Sequence, residues 1–238
     1  MKIKTILFLS LMHFSVNAAE LRVEAGQSDS RGNRFQIPGD TGTELHMPKA
    51  NAAYYRIEAE VSAGQKGLWR LVYAPLTIRY SSVADQTTVF NGVTFAAGET
   101  LKTSFKFNSY RAGYLYQVMD VSGRFKLWLG GLLKVRDAEI KVSGASGESG
   151  YPNVGPVPLL SLKAISNLSS QWQLLFQLDG AASSQGRAFD GTLEFNYLIA
   201  ERARLGFGGR FLDGGANNEK VENFAHVNYA YGAAHFTF

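Results

Sequence analysis

The 238-residue chain contains no cysteine, so it carries no disulfide, no cysteine for lipid attachment and no thiol chemistry. Its formal net charge is +4, and Lys2 and Lys4 near the N-terminus supply half of that, which gives no support to nucleic-acid binding. With 25 Gly, 6 Pro and 13% aromatic residues, the composition suits long β-strands joined by tight turns, in a length that fits one barrel or one sandwich.

The first residues read as an export signal. Lys2 and Lys4 form a positive n-region, Ile6 to Met12 an apolar h-region, and Val16-Asn17-Ala18 lies at the cleavage positions. The expected division is a cleaved signal over 1–18 and one barrel domain over 19–238, with cleavage after Ala19 as the second choice. The apolar run is too short for a spanning helix, which takes ~20 apolar residues. No later segment serves as one either: stretches such as Leu127 to Leu133 are interrupted by charge within a few residues.

Beyond the signal, period-2 alternation dominates. Ten strands are predicted: Glu20–Ser28, Ala52–Ser62, Leu68–Val83, Leu101–Asp120, Arg124–Val142, Val157–Asn167, Trp172–Gly180, Arg187–Ile199, Arg202–Leu212 and Asn223–Phe238. Connections alternate between short ones (Ala63–Gly67, Val121–Gly123, Leu168–Gln171, Ala200–Glu201) and mostly longer, polar ones. The latter are Asp29–Asn51, Ala84–Thr100, Ser143–Pro156, Ala181–Gly186 and Asp213–Glu222. Within them, Ser146 to Leu160 either folds over a barrel mouth or begins the sixth strand. Gly130-Gly131 and Gly208-Gly209 lie inside strands, where glycine permits a bulge or bend.

The alternation predicts two faces. Tyr55, Ile57, Ala59 and Val61 oppose Arg56, Glu58 and Glu60; Leu205, Phe207 and Phe211 oppose Arg202, Arg204 and Arg210. A sandwich buries the apolar face, whereas a barrel in lipid turns it outward. Several strands exceed the ~9–11 residues of a tilted span. Tyr54, Tyr55, Trp69, Tyr73, Tyr110, Tyr114, Tyr116, Trp128, Trp172, Tyr197 and Phe238 recur near strand ends or on outward positions, as rings at a headgroup level do.

An export signal, this strand rhythm and a last strand ending on Phe236 and Phe238 together resemble the small bacterial outer-membrane β-barrels of the OmpW and OmpA-like kind, over the whole mature length. The resemblance implies an all-β fold, an antiparallel transmembrane barrel, with ten strands expected and eight as the alternative. It implies a bacterial outer-membrane location with both termini periplasmic. Its implied partners are outer-membrane lipid and lipopolysaccharide, the barrel-assembly machinery and periplasmic chaperones. The terminal Phe is part of the assembly signal in that family. Nucleic acid is not an expected partner.

The expected lumen charge network is Arg22, Glu24, Arg56, Glu58, Glu60, Arg111, Lys126, Lys134, Arg136, Asp190, Glu194, Arg204 and Arg210, with Arg70 and Lys163 beside it. Buried charges must pair, so the expectation is a narrow interior filled by side chains. An anion-favouring pore lined by basic residues is the alternative. The expected function is therefore a non-enzymatic barrel, structural or a narrow channel for small solutes.

The enzyme alternative places rim residues near His46, Asp137 and Asp213. The omptin proteases, ten-stranded barrels, carry paired acids and a His–Asp couple at the rim; this chain offers rim acids but no omptin motif. The lipid A deacylases set a His and a Ser close together on a late strand. Here His226-Val227-Asn228 has Asn at the nucleophile's place, and without a hydroxyl His226 has nothing to activate. His226 and His235, nine residues apart, fall on opposite faces and make no metal pair. Asp213, Asn217 and Asn218 read as turn chemistry rather than a calcium loop. No metal and no cofactor is expected. On the last strand Tyr229 and Tyr231 fall on the lumen side, unless a bulge near Gly232 switches the parity.

Overall fold

The computed structural model describes residues 18–238. Apart from Ala18, the expected signal lies outside the described residues. Fifteen strands follow: β1 Ala19–Ser30, β2 Arg34–Gln36, β3 Leu45–His46, β4 Ala50–Ala63, β5 Gly67–Ala74, β6 Thr77–Val83, β7 Thr88–Phe90, β8 Val93–Phe95, β9 Thr100–Val121, β10 Phe125–Gly144, β11 Gly147–Asn167, β12 Trp172–Ser183, β13 Gly186–Ala200, β14 Ala203–Asn218 and β15 Val221–Thr237. Ten walls form a closed antiparallel barrel, with β5 and β6 sharing one wall where Pro75 interrupts the ladder. Closure comes from β1 against β15, from Glu20↔Thr237 to Ser30↔Val227 without a register break. Leu21 stands opposite Phe236, so the start of β1 and the end of β15 lie at one end of the barrel.

The four connections at that end are short. Gly123, at φ 69°, and Ser122, at φ 50°, turn β9 into β10 in a conformation that glycine adopts without cost. At the opposite end, two excursions are long and three are tight. The chain from Arg31 to Lys49 carries the β2–β3 hairpin, and β2 pairs with the far end of β15. The chain from Ala84 to Glu99 carries the β7–β8 hairpin. The other three are tight hairpin turns.

One of these tight turns corrects the expected long loop Ser143–Pro156. Those residues instead extend β10 and β11, with Gly144 opposite Gly147. Ser143-Gly144 and the Gly, Ser and Pro residues that follow look like loop chemistry. Yet β11 pairs with β12 only from Leu160↔Gly180 to Asn167↔Gln173, so its outer part is an open edge. Prolines, which cannot donate to a neighbouring strand, are tolerated there, and Pro152, Pro156 and Pro158 occupy it.

The expected bend sites also move. Register shifts occur at Leu127/Trp128 and Leu198/Ala200, not at the glycine pairs. Gly130 and Gly208 instead allow close approach: a Cβ on Gly208 would overlap the backbone oxygen of Leu193 and lie 2.8 Å from the Tyr231 hydroxyl.

Outside, the wall is a band of aliphatic and aromatic side chains, including Ile57, Leu71, Leu133, Leu193, Leu205 and Phe207. Aromatic pairs reinforce it: Tyr73 stacks on Tyr110 at 5.2 Å, and Trp172 meets Tyr197 at 4.9 Å. Inside lie two layers. The long excursions pack Phe35, Ile37, Phe90 and Phe95 against Ile78, Leu101 and Val227 and fill part of the mouth with an apolar core. The remaining lumen is mostly charged, apart from a small apolar cluster of Leu115, Leu132 and Leu159. Two aromatics expected near strand ends or outward face inward instead: Tyr54 is buried against Tyr229, and Trp128 lies beneath the Lys163 ammonium.

Candidate functional site

The inward parity of successive strands sets acids and arginines at matching heights. Arg22 stands opposite Glu58 and Glu24 opposite Arg56 across β1 and β4. Asp179 stands opposite Asp190 across β12 and β13, two like charges that need a cation between them. Arg111 supplies it, donating to Asp179 at 2.7 Å and also to Asp190.

From there the contacts run around the lumen. Arg210 donates twice to Asp190, at 2.7 Å each. Arg70 bridges Asp179 at 2.8 Å and Glu58 at 3.1 Å. Arg56 joins Glu58 at 2.5 Å to Glu24 at 3.1 Å, and Arg22 joins Glu24 at 2.7 Å to Glu194 at 2.6 Å. Lys163 meets Glu60 and Arg204 meets Glu20. His235 places one ring nitrogen 2.7 Å from Glu194 and the other 2.8 Å from Glu20. Ser161 and Gln177 donate to Asp179 and Glu58 at 2.7 Å each. Tyr231 accepts from Arg22 at 3.0 Å. Bidentate and bridging arginines are the strong form of such pairing.

The charges of this lattice do not balance. Seven acids face inward: Glu20, Glu24, Glu58, Glu60, Asp179, Asp190 and Glu194. Seven cations engage them: Arg22, Arg56, Arg70, Arg111, Lys163, Arg204 and Arg210. Lys134 and Arg136 are left over. Lys134, 4% exposed, meets no acid among the described residues, and its ammonium rests 4.5 Å over the Phe107 ring. It stands directly opposite Arg111, already committed to two acids. Arg136 is half-buried and donates only to Asn153, at 2.7 Å, while its Nε finds no partner among the described residues.

Of the residues expected in the network, Lys134 and Arg136 stay in the lumen without an acid among the described residues, and Lys126 lies outside it. At 40% side-chain exposure it sits by the short turn, 3.9 Å from Asp120, because its position is near the strand's end rather than mid-wall. Glu20, Asp179, His235 and Gln177 join the lattice without having been placed in it. Asp179 and Gln177 share a parity opposite Leu174, Phe176 and Leu178, so alternation was the available signal. Tyr229 and Tyr231 line the lumen, and the unbroken register rules out a switch near Gly232.

Above the lattice, on the side of β9 to β15 that the long excursions leave uncovered, lies a cavity of about 550 Å³. Arg111, Lys134, Asp179 and Asp190 form its floor. Its walls include Phe105, Phe107, Leu159, Phe189 and Leu212, and it reaches the hairpin turns at Gln185 and Asn218.

The rim residues of the enzyme reading do not converge. His46 lies 3.5 Å from Glu44 and Asp137 binds Lys106 at 2.8 Å. Asp213 binds Arg187 at 2.5 Å and lies 3.3 Å from His226 Nδ1. The other nitrogen of His226 is 3.2 Å from the Asn228 amide. This acid–His–Asn line faces outward across β14 and β15. It can orient an imidazole but holds no hydroxyl or thiol for the imidazole to activate. Asn218 accepts from the backbone of Lys220 and Val221 and so serves its own turn.

No family model and no curated protein matches the chain. Among solved structures it is similar to the outer membrane protease OmpT of Escherichia coli, with a TM-score of 0.63 at 9% identity, covering 96% of this chain and 99% of that one. The likeness is one of fold. The transport unit of the autotransporter AIDA-I of Escherichia coli matches at 0.47 and 10% identity over 98% and 94% of the two chains. Neisserial surface protein A matches at 0.42 and 14% identity over 93% and 99%.

Proposed function

We propose that the chain is an integral outer-membrane barrel with a lumen sealed by its own side chains, acting as a non-enzymatic envelope protein rather than a pore. The observation that carries this reading is the inversion of the wall: large apolar side chains outside, a buried ion lattice inside. In water the outer band would be an apolar patch far beyond what soluble monomers expose. In a bilayer it is the lipid-facing surface of a closed barrel. The burial of Arg22, Glu24, Arg70 and Glu194 in the mid-lumen supports the seal, as side chains fill the interior of small barrels.

With the short turns periplasmic and the long excursions outside, as is general for such barrels, both termini are periplasmic. Outer-membrane lipid and lipopolysaccharide are then the surrounding partners. Phe236 and Phe238, on the outward parity of the closing strand, are offered to the barrel-assembly machinery, with periplasmic chaperones acting before it. Against catalysis stands Asn228, which occupies the place of a nucleophile beside His226.

Envelope fractionation and planar-bilayer recording test this together. The expected result is a heat-modifiable outer-membrane band and no single-channel steps. Recovery as a soluble periplasmic monomer would overturn the barrel's location, and stable conductance steps would overturn the seal.

A further inference from the structure

We propose that the cavity above the ion lattice is a binding site for an anionic, acyl-chain amphiphile that enters sideways, between β11 and β12. Three observations carry the proposal. First, the two cations left without acids in the lumen, Lys134 and Arg136, both line this cavity. They lie two residues apart on the same face of β10, roughly 7 Å along the strand, so their long side chains can reach one carboxylate or phosphate. A buried cation without a counter-ion is unfavourable, and an anionic headgroup is the chemistry that relieves it. Asp179 and Asp190, on the same floor, are held by arginines and cannot do so from within.

Second, the walls next to this floor are largely apolar, while Arg187 and Asp213, paired with each other, and Gln185 and Asn218 lie toward the hairpin turns. Phe105, Phe107, Leu159, Phe189 and Leu212 line the cavity, whose volume lies in the range of small-molecule sites. A head on Lys134 and Arg136 would therefore carry a hydrocarbon body.

Third, the wall is open beside the cavity. Pairing between β11 and β12 stops at Leu160↔Gly180, yet β11 runs on to Gly147 and β12 to Ser183. Residues from both lips of this seam, Pro156 and Pro158 on one side and Ala181 and Ala182 on the other, line the cavity. From Asn167 to Leu160 the strand rises about 23 Å along its length, or about 18 Å of height at a tilt of about 40°. The seam thus starts within an apolar band of about 25 Å. With the long excursions outside, as proposed above, it opens onto the outer leaflet. The proposal rests on that orientation only for the leaflet. Conductance tests the seal and binding tests the ligand, so the two can fail separately.

The test uses the full barrel in phosphatidylcholine nanodiscs, titrated calorimetrically with three probes against empty discs. Dodecanoate carries head and tail, dodecanol the tail alone, and acetate the head alone. The expected result is saturable one-to-one binding of dodecanoate, at least tenfold tighter than either other probe. Lys134→Met and Arg136→Gln, each verified as heat-modifiable, should each weaken dodecanoate by tenfold or more and leave dodecanol unchanged. If one variant does not fold, the other carries the comparison. A Pro158→Cys/Ala182→Cys pair, oxidised across the seam in this cysteine-free chain, should block dodecanoate, and reduction should restore it. Dodecanol matching dodecanoate, acetate matching dodecanoate, or binding indifferent to Lys134 and Arg136 would overturn the site. Undiminished binding with the seam cross-linked would overturn the lateral route.

Discussion

Asp190 is one of the acids that hold the lattice together. It accepts two hydrogen bonds from Arg210 and one from Arg111. Asp190→Asn keeps the shape and removes the charge. Two fallback partners remain: Glu24, 3.5 Å from Arg210, and Asp179, 2.7 Å from Arg111. Breaking a buried pair costs about 3–5 kcal/mol, and these fallbacks place the substitution near the lower figure, about 3 kcal/mol. At a urea slope of about 1–3 kcal/mol/M this lowers the unfolding midpoint by roughly 1–3 M. Reversible urea unfolding in phosphatidylcholine vesicles, followed by tryptophan fluorescence, measures it. Asp137→Asn, on an outer-face pair with Lys106, is the control and should leave the midpoint unmoved. Because Lys134 already adds uncompensated charge beside Arg111, Lys134→Met in the Asp190→Asn background should recover part of the loss. Such coupling is expected of neighbours in one network. If Asp190→Asn shifts the midpoint no more than Asp137→Asn does, the lattice is solvated rather than stabilising, and the reasoning fails.

Other outcomes follow from the same structure. Gly208→Leu should prevent folding or cost about 1–3 kcal/mol through overpacking, since its side chain would need the space of the Tyr231 hydroxyl and the β13 backbone; heat-modifiability on a gel reads this. Replacing Gln86–Ala97 by a short Gly-Ser link should leave the barrel non-conducting, because Ala84 and Gly98 already lie within one hydrogen bond, 2.7 Å, and the ion lattice rather than the loop seals the lumen. Conductance steps in that variant would assign the seal to the loop. Glu99 ties the β7–β8 excursion to the β10–β11 turn by accepting from the hydroxyl and backbone N–H of Ser146, which hold its carboxylate below its ordinary value of 4.5. Because the folded value is depressed, this tie is fully present above pH 4.5 and is lost as pH falls through the lowered value. Hydrogen exchange at Ser146, corrected for its intrinsic pH dependence, should lose protection below pH 4.5 and not above it.

Much of the barrel is visible in the order of residues because a strand has period two. Alternation sorted Arg56, Glu58 and Glu60 from Tyr55, Ile57 and Ala59, and the same parity is enough to turn Tyr229 and Tyr231 inward. It failed where local chemistry and neighbourhood disagree. The segment before Val157 carries the Gly, Ser and Pro of a loop, yet forms a strand because β10 supports one edge and no strand among the described residues pairs with the other. Lys126 has the right parity for the lumen and the wrong height, since period two describes facing and not depth. Asp179 was visible as polar but not as the partner of Arg70 and Arg111, which lie 109 and 68 residues away.

What the sequence determined alone is therefore the two-faced character of the strands and the approximate number of walls, both consequences of local backbone geometry. Only the tertiary structure decided which charges pair and which are left over. Ion pairing depends on the shear that sets distant strands at one height, and that quantity is a property of the closed barrel rather than of any strand. Lys134 is the clearest case. In the sequence it is one inward cation among many; in the closed lumen every acid is already engaged elsewhere, and it is left facing a cavity with an open seam beside it.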